Sequence, residues 1–109
     1  MSIKLPTLIA SYFHAANAGN TEAVLACFAS DAVVHDEGKE MRGTAAIKAW
    51  KEETDKKYAV TLTPIEVSEV PGIVIVTTNV AGNFDGSPIT LKFKFSLDNG
   101  LIAKLEIAT

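Results

Sequence analysis

The sequence predicts an α+β fold, with three helices in the N-terminal part packed on a curved, mainly antiparallel sheet. Three observations carry that prediction. Apolar residues recur at helical spacing up to Tyr58, they alternate with a period of two after it, and the later runs are separated by turn sequences. The chain has 109 residues, 48% of them hydrophobic and 21% charged, with a formal net charge of −3, which leaves room for one domain over 1–109. A chain of this size buries roughly two-thirds of its unfolded surface, enough for a core without covalent staples.

The first helix is predicted from Leu5 to Ala18. Leu5, Leu8, Ile9, Tyr12, Phe13 and Ala16 form its apolar stripe, Pro6 sits where a first turn tolerates proline, and Gly19 follows the end. His14 falls off the stripe. Asn20 or Thr21 caps a second helix, Glu22 to Phe28, whose buried face is Val24, Leu25 and Phe28. Ala32 to Asp36 is a β-type run, turned at Glu37-Gly38-Lys39 and answered by Glu40-Met41-Arg42. Gly43-Thr44 opens a third helix, amphipathic through Ile47 and Trp50, that runs to about Lys56. Strands then follow over 59–69, 73–82, 89–97 and 101–107, with turns at Pro71-Gly72, Asp85-Gly86-Ser87-Pro88 and Asp98-Asn99-Gly100. Ile89, Leu91, Phe93, Phe95 and Leu97 share one face of the third of these, and Pro64 marks a bulge or bend in the first. In the last strand Leu101, Ala103, Leu105 and Ile107 are expected on one face.

Several function classes are excluded. Cys27 is the single cysteine, and His14 and His35 are the two histidines, so neither a disulfide nor a structural zinc site is expected, and no cofactor is implied. The acidic balance, with lysines spread over several elements, lacks the basic stripe that nucleic-acid binding requires. No apolar run approaches the ~18 to 20 residues of a membrane span, and Met1 to Pro6 does not read as a signal peptide. A cytoplasmic protein with no membrane partner is the expectation.

The order helix, helix, short hairpin, helix and four-stranded curved sheet resembles the NTF2-like superfamily, which includes SnoaL-like polyketide cyclases and ketosteroid isomerases. The residue-level likeness lies in Phe28-Ala29-Ser30-Asp31-Ala32-Val33-Val34-His35-Asp36 followed by Gly43-Thr44-Ala45-Ala46-Ile47-Lys48-Ala49-Trp50. The resemblance implies a cystatin-like or NTF2-like cone holding a small apolar molecule, and a homodimer. It also implies either an isomerase- or cyclase-type enzyme that abstracts a proton next to a carbonyl, or a binding or dimerisation module of the same fold without catalysis. Asp36 falls where the isomerases have their general-base aspartate, and Tyr12 where they have an oxyanion-hole tyrosine. The strand from Ile89 to Leu97 contains no Asp or Glu, so the second acid of that oxyanion hole is missing.

The residues themselves weigh these roles. Asp36 ends an apolar strand on the face of Val34, where desolvation would raise its pKa toward that of a useful base; as a turn-entry residue it would only cap the bend. His35 and Asp36 are adjacent in a strand, so only one can enter a pocket. The SnoaL-like relatives often carry a histidine along this strand, which makes His35 the alternative acid/base; the isomerase register favours Asp36. Tyr12 is buried on its stripe and its hydroxyl then needs a partner, a backbone carbonyl or a ligand. Phe28, Val34, Trp50, Phe93, Phe95, Leu105 and Ile107 are core residues by default and pocket lining in the functional reading, with Tyr58 at the mouth. If Phe93, Phe95, Leu105 and Ile107 all point inward, the cavity should be small, with no C-terminal tail to close over it. Cys27 reads as a small core hydrophobe and Asp31 as a turn or capping residue. Lys92, Lys94, Lys104 and Glu106 lie on the outer sheet face and would make a dimer interface there polar.

Overall fold

A computed structural model describes residues 4–109; residues 1–3, on which part of the targeting reading rests, lie outside the described residues. Helix α1 spans Thr7–Asn17 and buries Ile9, Tyr12, Phe13 and Ala16, as its apolar spacing requires, while His14 is exposed. It stops in a Schellman turn: Asn20 N–H donates to the Ala15 carbonyl at 3.0 Å and Gly19 N–H to that of Ala16 at 3.2 Å. Gly19 has a φ of 68°, which is why a residue without Cβ stands there.

Helix α2 ends about one turn earlier than its apolar residues suggest. It spans Thr21–Leu25, capped by the Asn20 side chain, which accepts from Ala23 N–H at 3.1 Å. Phe28 is therefore not helical. It opens strand β1, Phe28–Asp36, because the last strand claims the backbone here: Ile102 N–H donates to the Cys27 carbonyl at 2.8 Å and Phe28 pairs with Ile102. The register shifts between Phe28 and Val33, so exposed Ser30 and Asp31 occupy an irregular stretch with no alternation to read.

A two-residue turn at Glu37 and Gly38 leads into β2, Lys39–Arg42, and α3 follows as Thr44–Tyr58. Two helices thus precede β1 and the third follows the first hairpin, so the three do not form one N-terminal block. Strands β3, Thr61–Val70, β4, Ile73–Ala81, β5, Ile89–Asp98, and β6, Leu101–Ala108, complete a six-stranded sheet in the order β2-β1-β6-β5-β4-β3. Every pair is antiparallel except β1 with β6, which closes the meander back onto the first hairpin.

The inner face of the sheet carries Val74, Val76, Thr78 and Val80 of β4, Phe93 and Phe95 of β5, and Leu105 of β6, all buried. Against them α1 sets Tyr12 and Phe13. Tyr12 meets Phe95 edge-on at 5.3 Å and Phe28 at 6.0 Å, and Phe13 lies 5.6 Å from Phe93. Two bulges shape this face. One follows Pro64, where the missing N–H predicts it; the other sets Leu97 opposite Ile102 but Ser96 opposite Lys104, leaving Ala103 unpaired. The second corrects the reading of β6. The extra residue flips the side-chain alternation, so Ile102 and Leu105 are buried, while Leu101 and Ala103 are not.

Candidate functional site

The curved sheet, α1 and α3 enclose a cavity of about 480 Å³ whose wall includes Tyr12, Asp36, Trp50, Tyr58, Phe93 and Ile107. Each reaches it for a local reason. Asp36 is the last residue of β1, two positions beyond buried Val34 and therefore on the same face. Trp50 and Tyr58 stand eight residues apart on α3, about two turns along one side of the helix. Phe93 and Ile107 are partners across β5 and β6.

Asp36 is held and perturbed at once. Trp50 Nε1–H donates to its Oδ2 at 3.0 Å, which leaves Oδ1 without that anchor. Burial pushes the Asp36 carboxyl above its ordinary value, the nearby Glu37 charge adds to the rise, and the Trp50 hydrogen bond opposes it. The Tyr12 hydroxyl is pushed far up, first by burial, then by the charges of Asp36, Cys27 and Asp55, so at neutral pH it is a donor.

At the mouth, Phe84 packs edge-on to Tyr58 with ring centroids 5.8 Å apart. The loop that carries it is pinned by Asn83 N–H donating to the Tyr58 carbonyl at 2.7 Å. Gly82 permits this approach: a Cβ there would stand 2.6 Å from the Tyr58 oxygen.

His35 is not in the cavity. It takes the opposite face of β1, opposite Glu40 on β2 and Glu106 on β6, with Nε2 3.4 Å from Glu40 Oε1. Strand alternation forces this once Asp36 points inward. Phe28, Val34, Phe95 and Leu105, read as lining, are also absent from the wall. They are spent on the core beneath α1, and for that reason the cavity is not the small one expected from four inward side chains. At about 480 Å³ it lies within the usual range for small-molecule sites.

Sequence reasoning missed other wall residues, chiefly Lys51 and Thr54 of α3, Leu62 of β3 and Leu91 of β5. For α3 the signal was present. Ile47, Lys51, Thr54 and Tyr58 recur at i, i+4, i+7 and i+11, one helical face, hidden because two of the four are polar. Lys51 is 3% exposed; its ammonium donates to the Ala16 carbonyl at 3.4 Å and pairs with Asp55 one turn on. Among the described residues no group of three or more His, Cys, Asp or Glu side chains could hold a metal ion.

The site therefore sets the Asp36 carboxylate and the Tyr12 phenol on a largely apolar wall, an arrangement able to move a proton and to hold a polar atom. A family model described as a SnoaL-like domain matches residues 9–105. A candidate polyketide cyclase from Sinorhizobium meliloti is 38% identical over 94% of each chain, with a TM-score of 0.93. A Catenulispora acidiphila protein with a ketosteroid isomerase-like fold, solved with trimethylamine, is 20% identical over 97% of this chain and 87% of its own, at a TM-score of 0.85. A computationally designed 17-OHP binder is 22% identical over 94% and 87%, at 0.79. No curated protein matches. The chain belongs to the SnoaL-like domain family, within the NTF2-like superfamily.

Proposed function

We propose that the cavity binds an apolar carbonyl compound and that Asp36 removes a proton from the carbon next to the carbonyl, while Tyr12 donates to the oxygen of the developing enolate. The observation that carries this reading is the convergence of a half-buried carboxylate and a buried phenol on one apolar wall. A base works best when its pKa approaches the working pH, and burial moves Asp36 in that direction. Trp50 fixes one carboxylate oxygen, so the other meets the C–H in a defined orientation. Tyr12 keeps its proton because its surroundings disfavour the phenolate, and it can therefore donate without ionising. The polyketide cyclase description of the Sinorhizobium meliloti relative is consistent with carbonyl chemistry of this kind.

The experiment is hydrogen–deuterium exchange at the carbons beside the carbonyl of a bicyclic aryl ketone, followed by NMR. The wild type should accelerate exchange. Asp36→Asn should lose about 10²- to 10⁴-fold, and Tyr12→Phe about 10²- to 10³-fold. Undiminished exchange in Asp36→Asn would remove Asp36 as the base.

One observation favours a second reading, binding without turnover. The β5 residues on the cavity wall are Ile89, Leu91 and Phe93, so that strand supplies no acid to help Tyr12. The designed 17-OHP binder illustrates a protein of this fold made for binding. Saturable ketone binding with no exchange in the wild type would select this reading.

A further inference from the structure

The cavity wall carries a charge that the proposed reaction does not use. Lys51 is 3% exposed and follows Trp50 directly on α3, yet it lines the same cavity. An ammonium in so dry a place needs partners. The Ala16 carbonyl and Asp55 supply two. Fastening α3 to α1 does not account for the lysine, because a buried ion pair generally holds elements together no better than apolar side chains of similar volume. An ammonium has three N–H groups, so two partners leave one for the cavity.

Position gives that third N–H its meaning. Ala16 stands one helical turn beyond Tyr12 on the same buried face of α1, so the ammonium sits against the turn that follows the tyrosine. Asp55 balances its charge, so what faces the cavity is an N–H of an ion pair. Of the carboxylates on the wall, Glu37 and Asp85 are exposed, where water screens them, and Asp36 holds one oxygen on Trp50. Among the described residues that line the cavity, Lys51 is the one cation.

We propose that Lys51 determines the ligand class: together with Tyr12 it holds a ligand oxygen that carries negative charge, so the cavity selects apolar ring compounds bearing an oxyanion. This rests on the reading of the cavity as a ligand site. In the proton abstraction the oxyanion is the enolate. The electron pair of the C–H bond becomes the carbon–carbon double bond of the enolate, the π pair of the carbonyl moves onto its oxygen, the proton passes to Asp36, and Lys51 faces the new charge. It thereby fills a role that β5, which puts no acid on the cavity wall, does not.

The test uses the intact protein and two probes of nearly equal shape, naphthoate and naphthamide, with affinities measured by calorimetry. The carboxylate is a permanently charged stand-in for the enolate oxygen. The wild type should prefer naphthoate by about tenfold or more, and Lys51→Met should bind the two probes alike. Because Lys51→Met can also loosen the contact between α1 and α3, the wild type supplies a second readout. The NMR signal of the Lys51 ammonium should move on adding naphthoate and stay in place with naphthamide. Equal affinities in the wild type, an unchanged preference in Lys51→Met, or an ammonium signal indifferent to naphthoate would each overturn the proposal. These readouts involve no turnover. A failed exchange experiment with the naphthoate preference intact counts against Asp36 as base alone, and the reverse outcome counts against Lys51 alone.

Discussion

Asp36 is pulled in two directions, and the balance sets both its chemistry and its cost. Burial, the largest influence, opposes the charged form, and the Trp50 N–H supports it; the sum leaves the carboxyl above its ordinary value of 3.8. A carboxyl whose folded pKa exceeds its unfolded one favours the folded state below the unfolded value, and that stability is lost as pH rises through the folded pKa. Asp36→Asn should therefore be more stable than the wild type at about pH 7, with the gain vanishing near about pH 4. Urea unfolding midpoints at the two pH values check this; a variant less stable than the wild type at neutral pH would contradict it. The same residue marks how far the sequence alone could go. Alternation along β1 states that only one of His35 and Asp36 can face inward, and two residues from Val34 that one is Asp36. Lys51 is legible only in part. Its spacing from Ile47 and Tyr58 puts it on the inward face of α3, but a lysine in a run with Lys48, Glu52 and Glu53 reads as solvated surface, and the carbonyl that receives it is set by where α1 ends.

At the scale of elements, the end of α1 is tied to the sheet by one side chain. Asn17 donates from Nδ2 to the Leu62 carbonyl at 2.8 Å and accepts from the Leu62 N–H at 2.7 Å, as a neighbouring strand would. β3 is an edge strand, so Asn17 covers backbone groups that otherwise face no partner. Asn17→Ala should cost about 1–3 kcal/mol, measured as a shift in the denaturant midpoint. Because Leu62 also lines the cavity, the variant should bind ligand more weakly as well. Local pattern revealed the elements well where they repeat without interruption, as in α1, α3 and the alternation of β5. It failed where a distant strand decided. The start of β1 and the faces of β6 depend on their mutual parallel pairing and on the bulge at Ala103, neither of which leaves a mark within a few residues. The division between core and cavity failed for the same reason. Phe93 and Phe95 lie on one face of one strand, and only the placement of α1 decides that Phe95 is covered by Tyr12 while Phe93 reaches the cavity.

At the scale of the whole molecule, the inner face of the sheet is covered and the outer face is left to water or to another copy of the chain. On that outer side Ile65, pushed out beside the β3 bulge, is 46% exposed and shares a shallow groove with Ile75, Thr77 and Lys92. Farther along the same face, on β5 and β6, stand Lys94, Lys104 and Glu106, with Lys104 and Glu106 paired at 2.8 Å. Exposed pairs of this kind contribute at most about 1 kcal/mol, so a stable contact would have to draw on the isoleucines, with the charges as its rim. We expect a homodimer through this face. Light scattering at micromolar concentration should then give twice the 11.6 kDa chain mass. Ile65→Lys should shift the population toward monomer, since it sets a charge among the apolar residues of the groove and leaves the cavity untouched. Higher salt should weaken the charged rim only modestly, because Ile65 and Ile75 gain from burial whatever the ionic strength. A monomer mass for the wild type would show instead that the lysines keep this face in water.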